Sequence, residues 1–176
     1  MVDRLFEVFR DQGFEGASMA DLAAATGLGK SSMYHAFPGG KDEMARAVLA
    51  AVRARLVTDV VGALEAAGPV PARIKRMADA LDLMYEKGTV GCLLGAFSLG
   101  KSRHTFRAEL QDIFGLWIDA LGATLRESGV APGEARKRAE DALLAVEGSL
   151  VLACGTGDPA AFRRLVKTFP QRLLEP

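Results

Sequence analysis

Apolar residues along this chain return at intervals of three and four, and strand-like alternation is hard to find anywhere. Val2, Leu5, Phe6 and Phe9 mark one face of a first helix that ends near Gly13. A second begins at Ser18, a good N-cap with Asp21 three positions on, buries Met19, Leu22 and Ala23, and stops at Gly27. After Gly27-Leu28-Gly29 a short helix carries Met33 and Phe37 on one side, and Pro38-Gly39-Gly40 ends it. From about Lys41 to Ala67, Met44, Val48, Val52, Leu56, Val60 and Leu64 repeat every fourth residue, which predicts a long connecting helix with one apolar edge.

Gly68 and the two prolines that follow break that helix and cap the next, on which Ile74, Met77, Ala78, Leu81, Met84 and Tyr85 share a face. Residues 87–102 mix glycines with large apolar side chains, the mark of a short, irregularly packed helix between turns. Phe106, Leu110, Phe114, Trp117, Leu121 and Leu125 define a helix over 105–127. The last two helices differ from these. The run "DALLAVEGSLVLACG" is apolar on nearly every side, and "DPAAFRRLVKTFPQRLL" carries Phe162, Leu165, Val166 and Phe169 along one stripe. A helix apolar all round must be covered all round. Its own domain is one cover, and a second copy of the chain, forming a two-fold four-helix interface, is the expected other, with Leu143, Glu147, Leu150, Val151, Phe162, Leu165, Val166 and Phe169 as the interface residues.

Composition narrows the class. The chain has 176 residues, half of them hydrophobic, with Lys+Arg and Asp+Glu balanced at 22 each, so a folded protein is expected rather than a disordered tail or a histone-like coat of nucleic acid. Two scattered cysteines, Cys92 and Cys154, make no disulfide framework, and with only two histidines there is no metal-ligand spacing. Neither a signal peptide nor a run of membrane-spanning length is present. A soluble, cytoplasmic, all-helical protein without metal or cofactor is expected.

The stretch "GLGKSSMYHAFPGGKDEM", residues 27–44, decides what kind. A phosphate-binding loop requires a buried strand before its glycines, and here a helix precedes them. A catalytic reading lacks partners: His35 has no neighbouring cysteine, and acidic residues at a helix start, such as Asp42 and Glu43, are common for dipole reasons alone. A helix-turn-helix accounts for the whole pattern. Gly29, Ser31, Ser32 and Ala36 keep the second helix narrow enough for a major groove. Lys30, Tyr34 and His35 reach phosphates or base edges, and Leu28, Met33 and Phe37 anchor the helix from below.

The run "GFEGASMADLAAATGLGKSSMYHAFPGGKDEMARAVL", with its capped helix, glycine turn, Y-x-x-F and a lysine after the next turn, resembles the DNA-binding signature of the TetR family of bacterial regulators. The "FPGGK" form and "GCLLGA" at 91–96 resemble the LmrA/YxaF-like branch. The resemblance implies a homodimeric, non-enzymatic repressor: a DNA-binding domain at 1–45, a helical ligand-binding and dimerisation domain at 46–176, a palindromic double-stranded operator, and a small-molecule effector that causes release. Carried over by position, Ser18, Lys30, Ser31, Ser32, Tyr34, His35 and Lys41 face DNA. Tyr34 and Lys41 are backbone contacts, and base readout falls to Lys30, Ser31, Ser32 and His35.

Two features temper that expectation. The basic arm that often precedes the first helix in the family does not appear, and residues 1–50 hold five Lys/Arg against seven Asp/Glu, so few phosphate contacts per monomer are expected. In the body, Met77, Leu81, Met84, Phe97, Phe114, Trp117 and Leu121 either line a ligand cavity or form ordinary core. As a cavity they suit an apolar or planar ligand, with polar groups from Tyr85, His104 or Glu147. A helical small-molecule binder or enzyme with a vestigial head, or an architectural DNA-binding protein without an inducer, would share much of this pattern.

Overall fold

The computed structural model describes residues 1–175, apart from the side chain of Lys30. Eleven α-helices run in order among the described residues: α1 (Val2–Gly16), α2 (Met19–Thr26), α3 (Lys30–Ala36), α4 (Gly40–Arg55), α5 (Gly62–Glu65), α6 (Val70–Met84), α7 (Leu93–Phe97), α8 (Ser102–Thr105), α9 (Arg107–Glu127), α10 (Pro132–Thr156) and α11 (Ala160–Leu174). No strand occurs among them, as the helical periodicity requires. Gly13 interrupts α1 with φ 68° and ψ 176°, a conformation open to glycine alone, which is why the apolar stripe ends there.

The expected long connecting helix is continuous in chain but not in geometry, because Leu56–Val61 form a π-helical segment between α4 and α5. A strict repeat of four overshoots the 3.6-residue turn by about 40° at each step. A wider turn corrects the drift, and Leu56, Val60 and Leu64 remain buried together.

The chain divides into two compact units. The first comprises Met1–Ala54 with Cys92–Gln111, so the head has a larger partner set than the first 45 residues. Its centre is aromatic. Phe14 meets Phe106 edge-on at 4.9 Å between ring centroids, and Phe97 lies 5.6 Å from Phe9 and 5.5 Å from Phe106. The carboxylate of Glu15 accepts from the Ser102 backbone N–H at 2.7 Å and from the Ser102 hydroxyl at 3.2 Å, which ties the end of α1 to the start of α8. Burial pushes that carboxyl up, but hydrogen bonds from the backbones of Ser102, Glu15 and Lys101, with a smaller one from the Ser102 hydroxyl, outweigh it and hold it below the usual glutamate value.

The second unit comprises Arg55–Gly91 with residues from Asp112 onward, and packs α5, α6, α10 and α11. Ile74, Met77 and Leu81 from α6, Val146 and Leu150 from α10, and Phe162 and Phe169 from α11 are fully or almost fully buried. The turn at 86–88 closes on this core. Gly88 has φ +84°, and a Cβ there would come within 2.7 Å of the Phe162 ring, so glycine is required on both counts. Arg73 is buried, donating to Leu64 O at 3.0 Å and pairing with Glu127.

Candidate nucleic-acid interface and the helical body

Helix α2 starts with a complete capping box: Asp21 N–H donates to Ser18 Oγ at 3.1 Å, and Ser18 N–H donates to Asp21 Oδ2 at 3.0 Å. The Ser18 hydroxyl also donates to Asp21 Oδ2 at 2.6 Å. These bonds from the Ser18 hydroxyl and backbone lower the Asp21 pKa. At the other end Gly27 adopts φ 72° and receives the left-handed turn that stops the helix, while Arg4 on α1 donates to Ala25 O and Thr26 O at 3.4 Å. The Thr26 hydroxyl lies 2.9 Å from Leu22 O and 3.3 Å from Met33 Sδ, so the turn is fixed to the helix that follows it.

Helix α3 is only seven residues long and has no side-chain cap, so tertiary anchoring must hold it. Met33 is completely buried and Phe37 nearly so, while Ser31, Ser32, His35 and Ala36 are exposed and Tyr34 is 46% exposed. The structure thus brings four of the seven expected DNA-facing residues together on one outward face. The Lys30 side chain, a fifth, lies outside the described residues. The remaining two are engaged internally. The Ser18 hydroxyl is a cap, and the half-buried Lys41 ammonium donates to Ala17 O at 2.7 Å and lies 4.5 Å from the centre of the Phe14 ring. Lys41 therefore pins the first turn of α4 to the α1–α2 link, and the unfavourable placement of a cation at a helix start is relieved within the protein itself. Glu43 closes the same turn by accepting from Gly39 N–H at 2.7 Å.

The residues expected to line a ligand site are divided. Phe97 belongs to the aromatic core of the first unit, whereas Met77, Leu81, Trp117 and Leu121 are buried and Met84 and Phe114 half-buried in the second. Two surface grooves of the second unit involve none of these. One of about 470 Å³ is lined by Ala78, Asp79, Asp82, Lys87, Arg163, Val166 and Lys167, and a smaller one of about 190 Å³ runs between α10 and α11 past Arg138 and Arg172. Of the polar groups suggested for a ligand, Tyr85 is buried with its ring 5.9 Å from Phe162, Glu147 is half-buried, and His104 is exposed in the first unit.

The expected dimer residues need the clearest correction. Leu150, Phe162, Leu165, Val166 and Phe169 are buried within their own chain, where they pack α10 and α11 together and onto α6, so they are not available as a surface. Leu143 and Glu147 are half-buried. Of the eight, Val151 alone is exposed, and it lies on a stripe of α10 otherwise made of residues outside that set, Leu144, Gly148, Leu152 and Gly155, at spacings that keep one helix face; Leu144, Val151 and Leu152 are 68%, 69% and 57% exposed. The alternation of large residues and glycines at 144, 148, 151, 152 and 155 was present in the sequence, but in a helix apolar on every side nothing distinguished the inner stripe from the outer.

No group of histidine, cysteine or acidic side chains able to hold a metal occurs among the described residues, and no helix there is long and apolar enough to cross a membrane. A capped helix, a glycine turn and a short anchored helix with an outward polar face, on an all-helical chain, define a helix-turn-helix DNA-binding regulator.

Comparison with known proteins gives the family. Residues 2–48 match the model of the bacterial regulatory proteins of the tetR family, and residues 66–168, more than half the chain, match that of the LmrA/YxaF-like transcriptional regulator C-terminal domain. The chain belongs to the TetR family, a family of transcriptional regulators and not of enzymes. It is 22% identical over 156 residues to the HTH-type transcriptional regulator LmrA of Bacillus subtilis, covering 85% of this chain and 80% of that protein. It is 29% identical over 147 residues to the transcriptional repressor DhaR of a Mycobacterium species, covering 82% and 73% respectively. Among solved structures, a TetR regulator from Legionella pneumophila superposes with a TM-score of 0.83 at 21% identity, covering 97% of this chain and 93% of the other. The regulator CifR, solved with a 26-base-pair operator DNA, superposes at 0.76 with 23% identity, covering 97% and 93%.

Proposed function

We propose that this regulator represses transcription as a homodimer seated on a palindromic operator, and that a small apolar or planar ligand bound in the second unit releases it. The observation that carries the reading is the outward face of α3. Ser31, Ser32, Tyr34 and His35 stand exposed over a helix anchored by Met33 and Phe37, an arrangement that gains little for stability and presents donors at the width of a major groove. Lys30 begins the same helix and, by its place in the family signature, reads base edges with Ser31, Ser32 and His35, while Tyr34 holds a phosphate.

The exposed stripe of α10 supports the dimer. Three large apolar residues, with Gly148 among them and Gly155 one turn beyond Val151, allow two helices to approach closely, and two recognition helices related by a two-fold axis require a palindromic site. Release requires that the ligand favour one of two arrangements of the recognition helices, and a preference of about 1–3 kcal/mol is enough to change occupancy markedly.

Fluorescence anisotropy against labelled DNA from upstream of the protein's own gene, at several salt concentrations and with unrelated DNA as control, tests the proposal. Tight, sequence-dependent binding with a shallow salt slope is expected, because the head holds few cations and two of them, Arg4 and Lys41, are engaged internally. Lys30→Ala should weaken binding about tenfold, and Tyr34→Phe should weaken it less without altering base preference. Equal weak binding to both DNAs would reject the reading.

A further inference from the structure

Trp117 is the chain's sole tryptophan and stands in the middle of α9, 3% exposed. Its Nε1 is completely buried and has no acceptor. Indole is a donor only, so neither a flip nor a change of tautomer can satisfy it. Its helix neighbours three and four residues away are Ile113, Phe114, Ala120 and Leu121, none of which carries a side-chain acceptor. One other buried donor among the described residues, Arg73 Nε, is also without an acceptor, but that guanidinium is already held through both terminal nitrogens, by Leu64 O and by Glu127. Trp117 has no second polar atom. A buried donor left unmade in a native protein calls for an explanation, and a bound group is one of the few available.

We propose that the Trp117 indole N–H is the orienting hydrogen-bond donor of an effector site in the second unit, and that the effector is an uncharged, largely apolar molecule carrying an acceptor oxygen or nitrogen. The assignment rests on the reading of this unit as the ligand-binding part of a regulator. The absence of charge follows from the stretch of α9 that carries the indole. Between Ile113 and Leu121 the one ionisable residue is Asp119, which is exposed and lies 3.3 Å from Arg136, so nothing on this stretch of α9 compensates a buried charge, whereas a carbonyl, ether or ring nitrogen is satisfied by one N–H. Buried Ile113 and Leu121 and half-buried Phe114 supply the apolar contact for the rest of such a molecule.

Because there is one tryptophan, a proton–nitrogen correlation spectrum of the ¹⁵N-labelled full chain contains a single indole signal. The probes are 2-acetylnaphthalene and 2-isopropylnaphthalene, which match in shape but differ in the acceptor oxygen. The ketone should move the indole proton downfield in a saturable titration and bind about tenfold tighter than the hydrocarbon, the scale expected of one buried hydrogen bond made or missing. In Trp117→Phe that preference should shrink to less than about twofold. An indole signal that the ketone does not move, no saturable binding of the ketone to the wild-type chain, or a preference that persists in Trp117→Phe would overturn the assignment. The spectral arm uses the unaltered chain, so the test stands even where the variant fails to fold. Anisotropy with operator-region DNA, run on the same preparation, separates the two failures. Ketone binding without DNA binding sinks the regulator reading and leaves Trp117 assigned, and DNA binding without ketone discrimination does the reverse.

Discussion

Helix α3 rests on Met33 and Phe37 and turns Ser31, Ser32, Tyr34 and His35 outward, whereas α10 rests on a row of mostly small residues, Ala135, Ala139, Ala142, Val146 and Ala153, and turns Leu144, Val151 and Leu152 outward. Each outward face costs something in isolation. The first leaves a seven-residue helix with no side-chain cap and little buried surface, and the second leaves large apolar side chains in water. The face of α3 suits the operator DNA that regulators of this family bind, and the face of α10 is the one proposed above to meet a second copy of the chain. The contrast shows that a binding face is recognised by what the rest of the fold declines to bury, and the chemistry of the exposed side chains then says what sort of partner covers it.

The largest expected effect tests which aromatic residues are core and which are site. Phe97→Ala should cost about 3–5 kcal/mol, because its ring is surrounded by Phe9, Phe14 and Phe106 and truncation leaves a cavity. Thermal or urea unfolding measures it, and a loss below 1 kcal/mol would return Phe97 to the candidates for ligand contact. Next is the α10 stripe. Val151→Glu with Leu152→Glu should leave helicity and monomer stability nearly unchanged, since both side chains are exposed, yet convert a dimer to a monomer in sedimentation and lower operator affinity at least a hundredfold. A variant that still sediments as a dimer would mean that another face makes the interface.

Smaller effects distinguish residues that build the head from those that touch DNA. Ser18→Ala should cost about 1 kcal/mol of stability through the lost cap, while operator affinity at a temperature well below unfolding changes less than about twofold. The same cap has a pH signature. The Asp21 carboxyl is depressed by the Ser18 hydroxyl and backbone N–H, so its contribution is present above the ordinary aspartate value of 3.8 and is lost as pH falls through the lower folded value. The stability difference between wild type and Ser18→Ala should therefore narrow in strong acid without closing, because the Ser18 hydroxyl still accepts from Asp21 N–H. The smallest change expected in binding is that of Lys41→Met. Because its ammonium is held by Ala17 O and the Phe14 ring, the salt slope of DNA binding should stay the same while stability falls slightly. A slope reduced by about one would show that Lys41 reaches a phosphate after all.

Much of the head was legible in residue order because its determinants are local. The box at Ser18 and Asp21, the left-handed Gly27 and the buried pair Met33 and Phe37 all lie within 20 residues, and each follows from the geometry of a single turn. The interior roles of Arg4 and Lys41 were not legible. Their partners are carbonyls 21 to 24 residues away, and a surface cation and an internal pin are written with the same letter. Glu15 is similar, since its hydrogen bonds to Ser102 span 87 residues.

By itself the sequence determined the all-helical class, the breaks between helices marked by Gly27, by Pro38 to Gly40 and by Gly68, the helix-turn-helix with its polar outer face, and the family, since these depend on periodicity, capping and turn chemistry over short spans. The π-helical interruption at Leu56–Val61 was not legible. The tertiary structure alone decided which side of α10 faces outward, that Phe97 is core of the first unit, that Ser18 and Lys41 serve the fold, and that Trp117 Nε1 is left without an acceptor. The reason is physical. A helical pattern fixes which residues share a face, but on a helix that is apolar all round only the packing of distant segments chooses the face to be covered, and only that packing leaves a donor unmatched.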